Sequence, residues 1–147
     1  MIYQGRNKYA VREAIIHCSA TPKSWANGKS IDQMVSDIRG WHKERGWRDI
    51  GYHRIIAPNG DVGVGRSLWD IGAHVRGRNR GTVGICLIGP GEPVGKFEDH
   101  FTVAQKIALK SYLKELRKLT DLIKVSGHND YAAKACPGFK VETAEWL

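Results

Sequence analysis

Two rhythms of hydrophobic positions alternate along the chain. Short apolar runs at Arg12 to His17, Tyr52 to Ala57, Val62 to Val64, Thr82 to Ile88 and Leu122 to Ser126 have the length of strands and are bounded by glycine or polar residues. Between them apolar residues return at helical spacing. Ser30 and Gln33 form a capping box ahead of Ile31, Met34, Val35, Ile38, Trp41 and His42, and Gly46 supplies the stop. A second box, Thr102 with Gln105, precedes Ala104, Ala108, Tyr112, Leu116 and Leu119 on one predicted face, with Lys106, Lys110, Lys114, Arg117 and Lys118 opposite. Pro58-Asn59-Gly60-Asp61 joins two of the runs, and Asn-Gly favours the left-handed backbone of a tight hairpin. The order strand, helix, hairpin, strand, helix, strand predicts a single α/β domain over residues 1–147, a central mixed sheet flanked by helices.

Composition narrows this little. A chain of 147 residues with 41% hydrophobic and 26% charged residues is ordinary for a globular domain, so disorder and collagen-like repeats are excluded. A domain of that size buries roughly two-thirds of its unfolded surface and needs no metal or disulfide to hold its core. Any metal is therefore expected to be functional. The apolar runs are too short for a signal h-region or a membrane span, so cytoplasmic synthesis without membrane insertion is expected. Three cysteines, Cys18, Cys86 and Cys136, are an odd count that fits reduced thiols. The net charge of +8 suggests an anionic partner such as nucleic acid, lipid head groups or an acidic wall polymer, without choosing among them. The lysine stripe on the second helix reads as a solvated face, so no specific nucleic acid is expected.

The chemistry concentrates after the last strand, in His128-Asn129-Asp130-Tyr131-Ala132-Ala133-Lys134-Ala135-Cys136-Pro137-Gly138. A catalytic zinc takes three protein ligands and keeps a fourth position for water, and imidazole and thiolate are both good donors. His128 and Cys136 supply two. His17, which also ends a short apolar strand, is the leading third. Cys18 should point away from His17 by strand alternation, and both it and Cys86 read as small buried hydrophobes. Residue types alone leave this zinc site open against core histidines and a buried thiol, because the spacing is neither a zinc finger nor His-Glu-x-x-His.

From Ala14 to Gly138 the chain resembles the phage lysozymes that are N-acetylmuramoyl-L-alanine amidases, relatives of the peptidoglycan recognition proteins. The matching blocks are Ile16-His17-Cys18-Ser19-Ala20-Thr21, Trp41-His42-Lys43-Glu44-Arg45-Gly46-Trp47, Gly51-Tyr52-His53, Val83-Gly84-Ile85-Cys86-Leu87-Ile88-Gly89 and Lys134-Ala135-Cys136-Pro137. The resemblance implies one zinc ion held by His17, His128 and Cys136, a catalytic pair Tyr52 and Lys134, and a substrate-groove residue, His74. It implies cleavage of the amide between N-acetylmuramic acid and L-alanine in bacterial peptidoglycan, by a monomer. It also implies access to the wall from the cytoplasm of an infected bacterium once a separate protein has permeabilised the membrane.

The chemistry fits those residue types. Zinc polarises an unreactive amide carbonyl and brings the pKa of water from ~15.7 toward ~7. Tyr52 is expected to orient that water, and Lys134 to stabilise the oxyanion. Among the tryptophans, Trp41 reads as core, and Trp25 and Trp69 as groove residues that stack on sugars. Three other readings stand beside the amidase: a peptidoglycan-binding module that does not cut, which Cys136 disfavours, a basic nucleic-acid or protein binder, and a zinc protease. Some amidases of this family also inhibit their phage's RNA polymerase, and Met1 to Arg12, where such a partner would dock, matches no family block.

Overall fold

The computed structural model describes residues 1–147. Seven strands and four helices follow one another: β1 (Tyr3–Gln4), β2 (Tyr9–Ala10), β3 (Glu13–Cys18), α1 (Ile31–Glu44), β4 (Arg54–Ile56), β5 (Val62–Val64), β6 (Thr82–Leu87), α2 (Phe97–His100), α3 (Val103–Leu119), β7 (Lys124–Gly127) and α4 (Thr143–Trp146). Five strands make one sheet in the order β5-β4-β6-β3-β7. The β4-β6, β6-β3 and β3-β7 pairs are parallel and β4-β5 is the antiparallel hairpin. The mixed sheet flanked by helices is thus as the hydrophobic pattern predicts. The β1-β2 hairpin, within Met1 to Arg12, is an element that the hydrophobic pattern does not predict. It is tied down by buried Gln4, whose amide donates to the carbonyls of Leu68 and Thr82 and accepts from Gly81 N–H.

Strands β3 and β6 are buried along their whole length, as central strands of a parallel sheet must be. Alternation divides their side chains between two faces. Ala14, Ile16, Cys18, Val83, Ile85 and Leu87 join Leu109, Leu113 and Leu116 of α3 in the larger core. On the other face Ile55, Cys86 and Ile88 pack against Met34, Val35 and Ile38 of α1. Cys18 and Cys86 are therefore buried on opposite faces, in line with their reading as small hydrophobes. The part of the second face formed by β3, β7 and the start of β6 carries Glu13, His17, Thr82 and Ser126 around one aliphatic side chain, Ile15.

Three local expectations need correction. Ser30 accepts from Gln33 N–H at 3.1 Å, but the Gln33 amide turns to Asp37 at 2.8 Å, so that box is half formed. The buried face of α3 is rotated from the predicted one: Gln105, Leu109, Leu113 and Leu116 point inward and Leu119 is 53% exposed. The cause is Gln105, which closes the box with Thr102 and also donates to the carbonyls of Ile56 and Ile88, pinning the first turn to the sheet. Trp41 is 36% exposed and leans on Trp25 at 5.3 Å rather than entering the core.

The rotated face is testable by urea unfolding. Leu113→Ala should cost ~2–5 kcal/mol through transfer and cavity terms, whereas Leu119→Ala should stay within ~0.5 kcal/mol. Similar costs at both positions would contradict this packing.

Candidate metal centre and active-site groove

Strand register brings two of the three candidate metal-binding side chains together. In the parallel β3-β7 pair Ile16 lies opposite Gly127, so the next residues, His17 and His128, leave adjacent strand ends on the same edge. Their ring centroids are 4.8 Å apart, the spacing of neighbouring strands. The chain then turns through a 3-10 segment, His128–Asp130, and comes back to put Cys136 beside β3, where its sulfur accepts from Cys18 N–H at 3.2 Å. The Asn129 amide holds this return by donating to the carbonyls of Ala135 and Phe139. The donor atoms of His17, His128 and Cys136 all lie within 4.8 Å of one another. That is somewhat wider than the ~3.5 Å edge of a tetrahedral zinc site, a gap within the reach of small side-chain rotations.

A hydrogen-bond relay sets the tautomer of His17. The Thr82 hydroxyl donates to the Arg78 carbonyl at 2.8 Å and so accepts from His74 Nε2 at 3.2 Å. His74 Nδ1 then accepts from His17 Nε2 at 2.9 Å, leaving the Nδ1 lone pair of His17 free for a metal. Burial first, and then the neighbouring histidines, hold His17 and His74 well below the ordinary imidazole range. Burial, with Lys134 behind it, also lowers His128. Neutral imidazoles are the ligating form. The Cys136 thiol is pushed up, by the Cys18 thiol beside it and then by burial, so a cation is what would make it a thiolate. The donor set therefore fits zinc.

His74 was expected in the substrate groove. It does form part of the groove wall, yet both its nitrogens are engaged by His17 and Thr82, and it supports His17. It fits only because residue 84 is glycine: a Cβ there would stand 2.5 Å from His74 Cγ.

The groove, about 800 Å³, opens over the part of the sheet that α1 leaves uncovered. A second lobe of about 460 Å³ lies beyond the metal-binding side chains, and Tyr52, Arg45, His128 and Lys134 border both. Tyr52 is half-buried with its ring 5.1 Å from His17, and burial raises its phenol well above the ordinary value, so it keeps its proton. Lys134 is exposed at the rim. Arg45, Arg76 and Lys134 put three cations around the main groove, which has no carboxylate in its lining. The groove tryptophan is Trp47, stacked 4.5 Å from His42. Trp25 packs on Trp41 and Trp69 is 57% exposed elsewhere, so neither lines the groove. Trp47 follows Gly46 at the end of α1, and that helix stop was the signal for a side chain turned out toward the site.

His53 is a structural neighbour. Its Nδ1 accepts from Gly84 N–H at 3.0 Å and its Nε2 donates to the Asp70 carbonyl at 2.8 Å.

Residues 7–139 match the family model for N-acetylmuramoyl-L-alanine amidase. The endolysin of Enterobacteria phage T3 is 42% identical over 134 residues, 90% of this chain and 85% of that one. The endolysin of Escherichia phage T7 is 38% identical over 139 residues, 95% and 88% of the two chains. The structure of Drosophila peptidoglycan-recognition protein LB superposes with a TM-score of 0.75 at 27% identity, covering 99% of this chain and 82% of that one.

Burial, the largest cause, lowers His53 to about 4. The folded protein resists a proton that the unfolded chain takes up below ~6.5. Its contribution is complete above that pH and is lost as pH falls toward 4, on the order of 3 kcal/mol in all. Urea melts of the metal-free protein should lose stability across this window, and His53→Gln should flatten the slope. An identical slope in the variant would contradict the buried, neutral imidazole.

Proposed function

The chain belongs to the N-acetylmuramoyl-L-alanine amidase family and is an amidase of bacterial peptidoglycan, and on that premise we propose that it works as an endolysin with one zinc ion held by His17, His128 and Cys136. The observation that carries the metal assignment is the three donors within 4.8 Å of one another, two neutral imidazoles and one thiol, beside a groove. Once bound, zinc supplies Lewis acidity to the scissile carbonyl and acidifies the attacking water.

The rest falls to the chain. His74 keeps His17 in the ligating tautomer. Tyr52 retains its phenolic proton and donates a hydrogen bond that orients the water attacking the lactyl carbonyl. Lys134, bordering both lobes, stabilises the negative charge that develops on the carbonyl oxygen. Collapse of the adduct breaks the C–N bond, leaving a carboxylate on the muramic acid and a free amino group on L-alanine. The groove cations suit a substrate rich in carboxylates, while Trp47 offers a flat apolar wall. A recognition module without catalysis would not need the thiol of Cys136. Action from the cytoplasm of the infected bacterium after membrane permeabilisation, by a monomer, belongs to the same proposal.

Digestion of purified peptidoglycan tests it. New alanine amino termini should appear, vanish with a chelator and return with zinc, whereas new reducing sugar ends would make the protein a glycosidase. Cys136→Ser should lose zinc and activity together. Lys134→Ala should keep zinc and lose ~100- to 1,000-fold in kcat. Full turnover in either variant would reject the role given to that residue.

A further inference from the structure

Four residues before His17 on β3, and so about 13 Å along the strand, a carboxylate is buried. Glu13 is 7% exposed. It accepts from Ser126 Oγ at 2.7 Å, from the Tyr131 hydroxyl, and from Arg78 Nη2 at 3.1 Å. Arg78 Nη2 also reaches the Tyr131 hydroxyl at 3.1 Å, and its guanidinium lies over the Tyr131 ring, 4.4 Å from the centroid.

A buried carboxylate is costly unless fully paired, and an apolar residue would serve the start of a central strand at least as well. The pairing is complete, and its unusual partner is Tyr131. Tyr131 lies in the middle turn of the segment that carries His128, Lys134 and Cys136, whereas Glu13 begins the strand that carries His17. The segment is fixed at its start by β7 and at its return by Asn129. Between those points two side chains tie it to the sheet: the Asp130 carboxylate accepts from Gly127 N–H of β7 at 2.9 Å, and the Tyr131 hydroxyl, with Ser126 Oγ at 3.4 Å, donates to Glu13 of β3, the strand that carries His17.

We propose that the Glu13–Tyr131 hydrogen bond, braced by Arg78, is a positioning tether that holds the His128–Cys136 segment at the correct distance from His17 and keeps Lys134 aimed at the reacting carbonyl. Neither residue touches zinc or the reacting atoms. This rests on the metal-site reading above. Partners that orient a metal site through its ligands typically change metal affinity or activity by ~10- to 100-fold when removed.

Tyr131→Phe removes one hydroxyl and Glu13→Gln one charge. Zinc affinity of the full-length protein is measured by chelator competition, together with kcat and KM on peptidoglycan and amide hydrogen exchange over 128–136, all well below the melting temperature. The tether predicts zinc affinity and kcat each lowered ~10- to 100-fold, KM near wild type, and faster exchange in the segment. It also predicts a double variant no worse than the weaker single, because both remove one interaction. Raised KM with unchanged zinc affinity and kcat would make Tyr131 a groove contact and overturn the tether. A lowered melting temperature with unchanged zinc affinity, kcat and exchange would reduce the cluster to a structural one and overturn it equally. Wild-type protein that takes up no zinc would overturn the metal reading itself, an outcome separable from failure of the variants alone.

Discussion

The register of two parallel strands governs this site. Because Ile16 stands opposite Gly127, the residues that follow them emerge side by side from the carboxyl edge of the sheet, and both are histidines. A slip by one residue would turn His17 to the α3 face, where Cys18 now packs, and would leave His128 alone. Register here is specified by burial. Every residue of β3 is enclosed, with aliphatic side chains on the α3 face that have nowhere else to go. The core thus sets the distance between the two candidate histidine ligands, and the returning loop brings in Cys136 as the third.

The groove exists because α1 covers only part of its sheet face. Above β3, β7 and the start of β6 the side chains are, Ile15 apart, polar and linked: Thr82 to His74 to His17 at one point, Ser126 and Tyr131 to Glu13 at another. Such a surface tolerates water at its edge while each buried polar group keeps a partner. Neutral imidazoles and a protonated phenol follow from burial, and the thiol awaiting a cation from the Cys18 thiol beside it and then from burial. A peptidoglycan amidase needs this combination, a dry, prearranged donor set beside an open channel long enough for a polymer.

Much of this could be read from the chain. Both long helices, the Asn59-Gly60 hairpin and the strands of the main sheet follow from local periodicity and turn chemistry, and the blocks of family likeness contain His17 and Cys136, with His128 eight positions before the cysteine. What could not be read depends on long-range contacts. The face of α3 is set by Gln105 reaching the carbonyls of Ile56 and Ile88, which no helical count reveals. His74, a groove residue by family resemblance, does line the groove, but its relay to His17 spans 57 positions and leaves no local signal. Trp47 was passed over for Trp25 and Trp69 because polar surroundings in sequence do not say which way a side chain faces. Glu13 and Tyr131, 118 positions apart, carry no joint signal.

The most direct test of the central claim is the location of the metal in a crystal of the zinc-loaded protein, by anomalous scattering on either side of the zinc edge. The account predicts one strong peak per chain, bonded to His17 Nδ1, a nitrogen of His128 and Cys136 Sγ, with an open position facing the groove. Zinc at any other set of residues, or no ordered peak in protein that still cleaves the wall, would contradict it.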